Sequence, residues 1–289
     1  MVAVGFSLHP DEEFLDLCAP LLEKVDYFEV APETLWFERD DGALVDNGYF
    51  RRFVALRRRS RKPFVAHGVG LSIATAALAD ARRRRRWLTR IASDHRALRF
   101  RWWTDHLGAS SLDALAVTLP LPLPPTGAAA RIVRARLWQM QAVVPDVGVE
   151  NNVAYFYPGD PMDEPAFIGR CLAAPRTWLL LDLHNVYTMA QNFGFDPGAW
   201  IARIDLARVI EIHVSGGRPS DPGWLPSRRV LRLDSHDDAV PEPVWRLLES
   251  VRPRCPNLRG VTLERMEGTV GAGDVALLGQ ELRRVRSLL

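Results

Sequence analysis

The chain has 289 residues, of which 47% are hydrophobic and 25% charged, and its formal net charge is +2. That composition argues against a disordered or fibrous chain, and so small a charge does not by itself point to nucleic acid or an anionic membrane. Three scattered cysteines, Cys18, Cys171 and Cys255, argue against a disulfide framework and a thiolate zinc site. No apolar run approaches the ~18 residues of a membrane helix. The opening MVAVGFSLHPDEEF lacks a basic signal region, so a cytoplasmic protein is expected.

Short apolar runs alternate with longer helical stretches along the chain. The runs are Val2 to Leu8, Tyr27 to Ala31, Pro63 to His67, Trp102 to His106, Val147 to Glu150, Trp178 to Asp182, Val209 to Val214 and Gly260 to Glu264. Helical spacing covers Glu12 to Glu23, Tyr49 to Arg59, Ala76 to Arg99, Ala128 to Val143, Pro165 to Ala173, Pro241 to Val251 and Val275 to Val285. Eight strands interleaved with helices predict one α/β domain over residues 1–289, a (β/α)8 barrel. A doubly wound open sheet would need a glycine-rich first turn, and HPDEEF stands there instead. LPLPLPPTG (119–127) reads as a loop after the fourth strand, and 215–230 as a long loop after the seventh.

Position carries the chemistry. The predicted strands end in Glu29, His67, Asp105 with His106, Glu150 with Asn151, Asp182 with His184 and Asn185, His213, and Glu264. The long seventh loop adds Asp234 and His236. A barrel gathers the C-terminal ends of its strands on one face, so these side chains can converge there. Histidine and carboxylate donors without thiolate favour iron, manganese, zinc or cobalt. There are more donors than one ion needs, and a bridging carboxylate can hold two ions, so two or three metal ions are expected. His67, His106, Glu150, Asp182, His184, His213, Asp234, His236 and Glu264 are the candidate ligands. Glu150, Asp182 and Asp105 are the expected catalytic carboxylates, and Glu29, Asn151 and Asn185 the expected substrate contacts.

Each residue has a plainer reading. A single strand-end His or Asp can simply cap a helix. So many buried carboxylates are costly without a compensating cation, which favours the ensemble. His9 reads equally as a helix-start residue or a face residue, and His95 as a surface residue. The runs RRRSRK (57–62) and RRRRR (82–86) read as solvated outer helix faces, against a patch for an acidic peptide or nucleic acid. Trp102 and Trp103 read as core. GVGLS (68–72) lacks the spacing of a phosphate loop.

Taken in order, FEVAPETLWF, AHGVGLS, DHLG, VENN, LLLDLHNVYTMAQNFG, EIHVSGG, LDSHDDAVPEPVW and LERME resemble the multinuclear non-heme iron-dependent oxidative enzymes, the family of the methanobactin-biosynthesis enzyme. The likeness runs from about residue 4 to residue 268. It implies a (β/α)8 barrel, two or three iron ions and oxidation by O2 of side chains, often cysteine, in ribosomally made precursor peptides. It also implies a small partner protein that recognises the leader. By the same resemblance, His67, His106 and Glu150 hold one iron. Glu150 bridges to a second held by Asp182, His213 and Glu264. Asp234 and His236 approach a third, near His184 or Asn185. The chain departs from the family at Thr104-Asp105-His106, where many relatives have Ser-Glu-His, at Met266, and in the histidine of DLHN.

Two rivals remain at this point. A zinc-dependent hydrolase or isomerase of the endonuclease-IV or xylose-isomerase type would gather similar ligands. A scaffold that only binds a peptide would need no metal.

Overall fold

The computed structural model describes residues 1–112 and 115–289. In chain order the elements are β1 (Ala3–Leu8), α1 (Glu12–Leu22), β2 (Tyr27–Val30), β3 (Trp36–Glu38), β4 (Leu44–Asp46), α2 (Tyr49–Ser60), β5 (Phe64–Gly68), α3 (Asp80–Leu98) and β6 (Trp103–His106). There follow β7 (Ala109–Leu112), β8 (Leu115–Leu121), α4 (Gly127–Gln141), β9 (Val147–Glu150), α5 (Glu164–Cys171), β10 (Thr177–Asp182) and α6 (Leu183–Phe193). The last are α7 (Pro197–Ile201), β11 (Val209–Val214), α8 (Glu242–Val251), β12 (Gly260–Leu263) and α9 (Asp274–Leu288).

Strands β1, β2, β5, β6, β9, β10, β11 and β12 close a parallel barrel, each paired with the next and β12 with β1. This is the predicted (β/α)8 architecture, with strand limits within a residue or so of those expected. Outward residues such as Phe28, Phe64, Trp103, Val149 and Leu181 are fully buried against the helices. They form the layer that strands buried on both faces require.

The inward residues fill the barrel from the bottom. Tyr27, Val65, Trp102 and Ile210 form the floor. Gly5 and Gly260 make room for the Tyr27 ring, since a Cβ on either would sit within 2.4 Å of Tyr27 atoms. Above the floor, Glu211 accepts hydrogen bonds from Tyr27 Oη at 2.8 Å, Trp102 Nε1 at 2.5 Å and Thr262 Oγ1 at 2.6 Å. One extra residue between Leu179 and Leu180 pairings, a bulge at Ile210, sets the register that turns Glu211 and His213 inward.

Four features depart from the expectation. Two antiparallel hairpins, β3–β4 and β7–β8, rise from the barrel's C-terminal face. The segment expected to be a proline-rich loop at 119–127 is strand as far as Leu121. Helix α3 begins at Asp80, four residues late. Helix α6 begins directly after Asp182, whose Oδ1 accepts from Asn185 N at 2.6 Å as its N-cap. Trp102 and Trp103 are both core. No helix among the described residues is long and apolar enough to cross a membrane.

Candidate metal centre

Above the Glu211 layer, a ring of ionisable side chains closes the barrel. The strand alternation of two aims His67, Thr104, His106, Glu150, Asp182 and His213 inward, and Glu264 follows the end of β12. Glu150 lies at the middle. Its Oε2 is 3.2 Å from His67 Nε2 and 3.0 Å from His106 Nε2. Its Oε1 is 4.0 Å from His213 Nδ1, which is also 4.0 Å from Asp182 Oδ2 and 3.0 Å from Glu264 Oε2. Donor sets His67–His106–Glu150, Glu150–Asp182–His213 and His67–His213–Glu264 each lie within 4.8 Å. Glu150 is therefore common to two sets.

A fourth set, His184–Asp234–His236, adjoins them. Asp234 Oδ1 lies 2.9 Å from His184 Nδ1 and 2.7 Å from His236 Nε2. His236 Nδ1 is 3.9 Å from Glu264 Oε2, which links this set to the set of His67, His213 and Glu264. His236 holds a left-handed backbone, φ 49°, a conformation that costs a non-glycine residue ~1–2 kcal/mol.

Surrounding groups fix the rings. His106 Nδ1 donates to the Gly68 carbonyl at 3.0 Å. The neutral ring then presents a lone pair at Nε2, facing a carboxylate oxygen that also carries only lone pairs. His67 Nδ1 bonds Thr104 Oγ1 at 3.0 Å, and Glu29 Oε2 bonds His213 Nε2 at 3.0 Å. Asn151 clamps the Asp182 backbone on both sides, donating to its carbonyl and accepting from its N–H at 2.9 Å each. Asn185 Nδ2 donates to Glu150 Oε1 at 3.2 Å.

The electrostatics of this ring are unbalanced. Burial, then the neighbouring carboxylates, raise Asp182 well above the usual range. Burial pushes Glu150 up to about 7 and Glu29 up to about 8, against the pull of the histidines. Burial pushes His67 down to about 4 and lowers His106 and His184. Burial also opposes charge on His213 and His236, but Glu264 with Glu29, and Asp234 with Glu264, outweigh it. His213 ends well above its ordinary value and His236 at about 10. Glu150 Oε2, Asp182 Oδ2, His213 Nδ1 and Glu264 Oε2 are buried without a hydrogen-bond partner. Lone pairs converging from neutral histidines and unpartnered carboxylates are what a bound cation requires, so the residues present fit a metal.

The structure brings together the nine predicted ligands as four adjoining sets. It does not bring Asp105 to them. Residue alternation on β6 turns Thr104 and His106 inward and Asp105 outward, where its Oδ2 fills the space above Gly68. Both its oxygens lack partners, and burial, then Glu33, raise its pKa well above the usual range. The expectation of a catalytic role for Asp105 is corrected by that strand parity. Glu29, Asn151 and Asn185 contact the ligands directly. His9 lines the mouth and pairs with Glu267 at 2.6 Å, while Asp11 caps α1. Glu211 went unremarked in the sequence, and Thr104 was noted only as a departure from the family. Their signal was the inward parity they share with His106 and His213.

The mouth above Glu150 is a cavity of about 280 Å³, flanked by Leu119, Pro120 and Met266. A family model described as RiPP precursor modification enzyme MbnB/TglH/ChrH matches residues 3–289. The chain belongs to this family. It is 33% identical over 239 residues to a UPF0276 protein of Rhizorhabdus wittichii, covering 82% of this chain and 78% of that one. A UPF0276 protein of Caulobacter vibrioides is 30% identical over 256 residues, covering 86% and 82%. Among solved structures, a xylose isomerase domain protein from Planctomyces limnophilus aligns with a TM-score of 0.62 at 13% identity, over 99% of this chain and 97% of that one. Endonuclease IV from Thermus thermophilus aligns with a TM-score of 0.59 at 16% identity, over 99% of each. These two likenesses concern the fold alone. The family is one of enzymes that modify RiPP precursors, and the barrel carries several possible metal-binding clusters.

Proposed function

We propose that this chain oxidises a side chain, such as that of cysteine, in a ribosomally made precursor peptide, with iron as its metal and O2 as oxidant. The observation that carries the reading is Glu150, whose carboxylate is common to two sets of donors within a family of peptide-modifying enzymes. His67, His106 and Glu150 would hold one ion, and Glu150, Asp182, His213 and Glu264 a second. His184, Asp234 and His236 would hold a third, with Asn185 beside them. Bound iron would supply one-electron chemistry and a site for O2.

The chain's own groups prepare that site. The Gly68 carbonyl, Thr104 and Glu29 orient His106, His67 and His213, so that one nitrogen of each ring points at the carboxylates. Asn151 and Asn185 hold Asp182 and Glu150 in register. The narrow mouth, edged by Leu119, Pro120 and Met266, suits entry of one peptide side chain and exclusion of bulk water. A leader-recognising partner protein and a cytoplasmic location belong to the same proposal.

The zinc-dependent hydrolase reading gains nothing from the arginine runs. In the arginine run 82–86, Arg83 and Arg84 are engaged with Asp80 and Arg86 with Glu38. Elemental mass spectrometry of anaerobically purified protein tests the proposal, together with O2 consumption in the presence of a cysteine-containing precursor. Two or more irons per chain and peptide-dependent O2 uptake are expected, both lost in Glu150→Ala. Full iron content and turnover in Glu150→Ala would sink it, as would activity supported by zinc alone.

A further inference from the structure

The near-neutral net charge conceals a strong asymmetry. Residues 48–104 contain sixteen of the 37 Lys and Arg but only two of the 35 acids, Asp80 and Asp94. The rest of the chain carries 21 cations against 33 acids. The run at 82–86 is not simply a solvated face. Arg83 and Arg84 bind Asp80, Arg86 binds Glu38, and Arg83 also donates to the Gly70 and Leu71 carbonyls. Those arginines tie α3 to the loops around the mouth.

The second cationic group is different. Helices α2 and α3 lie side by side, and their C-terminal ends open a cavity of about 630 Å³ at the bottom of the barrel. Arg57, Arg61, Arg96, Arg99 and Arg101 line it, and among the described residues none of them forms an ion pair. Arg61 and Arg99 close α2 and α3 in the left-handed conformation, with φ 58° and 53°, where glycine is the usual residue. Two adjacent helices thus keep an arginine where the backbone favours none. The helix dipoles account for some of this charge, but not for five guanidinium groups around one cavity. Farther up the same two helices is a groove of about 720 Å³ with an apolar floor of Phe50, Val54, Ala55 and Ala97, edged by Arg51, Arg58 and Arg59.

We propose that the α2–α3 groove docks an acidic amphipathic helix of a partner protein. Its apolar face would lie on Phe50, Val54 and Ala97, and its carboxylates would pair with the arginines below. An Arg fork binds a carboxylate bidentately, which gives such a surface geometric selectivity as well as charge. The apolar floor offers nothing to a phosphate backbone. Among the described residues, none of the exposed large hydrophobic side chains borders this groove, so it lacks both stacking platforms for bases and anchors for a bilayer. The inference is independent of the metal centre, because the groove lies on the outer surface of α2 and α3 and none of its lining residues is a candidate ligand.

The probe is a fluorescent peptide of about 18 residues, long enough to span the groove as a helix, with glutamates on one face and leucines on the other. Its anisotropy is followed on titration with the full-length protein. Saturable, salt-sensitive binding is expected, weakened about tenfold by Arg61→Glu with Arg99→Glu. Val54→Asp is expected to weaken it similarly. Arg61→Gly with Arg99→Gly removes two charges where glycine suits the backbone, so that variant melts no lower and still binds more weakly. Equal binding of polyglutamate lacking the leucines would overturn the proposal by leaving charge alone. Tighter, variant-sensitive binding of single-stranded DNA or of phosphatidylserine vesicles would overturn it too. So would a dimer in sedimentation that the same variants dissolve, or peptide binding that no variant changes.

Discussion

Glu29 and His213 are 184 residues apart in sequence and share one hydrogen bond across the barrel, Oε2 to Nε2 at 3.0 Å. The bond occupies Nε2 and aims Nδ1 at Glu264, Glu150 and Asp182. Glu29 thus positions His213 from the lining of the mouth cavity. Partners of this kind typically carry ten- to hundredfold of a site's metal affinity. Glu29→Leu is expected to lose metal to a competing chelator about 10–100 times more readily than the native protein, with Glu29→Gln between them. Metal retention after timed chelation reads this directly, and unchanged retention in Glu29→Leu would remove Glu29 from the site.

Asn151 and Asp182 hold one another by two reciprocal hydrogen bonds of 2.9 Å, side chain to backbone, and both residues are buried. Asn151→Ala deletes both bonds and leaves a buried N–H and C=O of β10 unsatisfied. A loss of about 2 kcal/mol is expected. Asn151→Asp keeps the acceptor but sets a carboxylate against the Asp182 carbonyl, so it should cost more. Urea unfolding of the metal-free protein measures both without interference from metal binding. Equal stability of the two variants would mean that the barrel wall relaxes around the pair.

The barrel strands were legible because each is an apolar run ending in a polar residue, a pattern that local sequence carries by itself. The cluster of histidines and carboxylates at the strand ends was legible for the same reason. Asp105 was misread because strand ends alone do not say which of two adjacent residues faces inward; the Thr104–His106 alternation does. The hairpins β3–β4 and β7–β8 escaped notice because their short strands lack a distinct period. Helix α6 was hidden because it follows β10 with no turn residue between them, the Asp182 carboxylate serving as cap. The cationic groove was discounted on net charge, a sum that cannot report where charges lie.

Asp146 ties together the bottom of the barrel. It accepts from Arg176 Nε at 3.1 Å, from Trp178 Nε1 at 2.9 Å and from Arg259 at 2.9 Å. Burial alone would raise its pKa, but these donors outweigh it and hold the group at about 2. A carboxylate depressed in the folded state stabilises it above the unfolded value of about 3.9, and that contribution disappears as pH falls toward 2. Asp146→Ala is expected to cost about 2 kcal/mol at neutral pH. The difference from the native protein should shrink between about pH 4 and pH 2. Denaturant midpoints across that range check the sign, and a constant difference would show that packing rather than charge is responsible.

Glu164 has the opposite sign. It is buried on α5 beside a small cavity shared with Asn152 and Tyr157, and Asn152 has neither amide atom hydrogen-bonded. Burial pushes its carboxyl up to about 8, far above the ~4.3 of an unfolded glutamate. Between those values the folded state binds the extra proton, so stability falls as pH rises, and the full penalty is reached above pH 8. Glu164→Gln carries no such penalty. Relative to the native protein, the variant should gain about 3–4 kcal/mol between pH 5 and pH 8. Melting curves at the two pH values decide the matter. A Gln variant that tracks the native protein at both would mean that water reaches Glu164 and that its carboxyl titrates as an exposed group does.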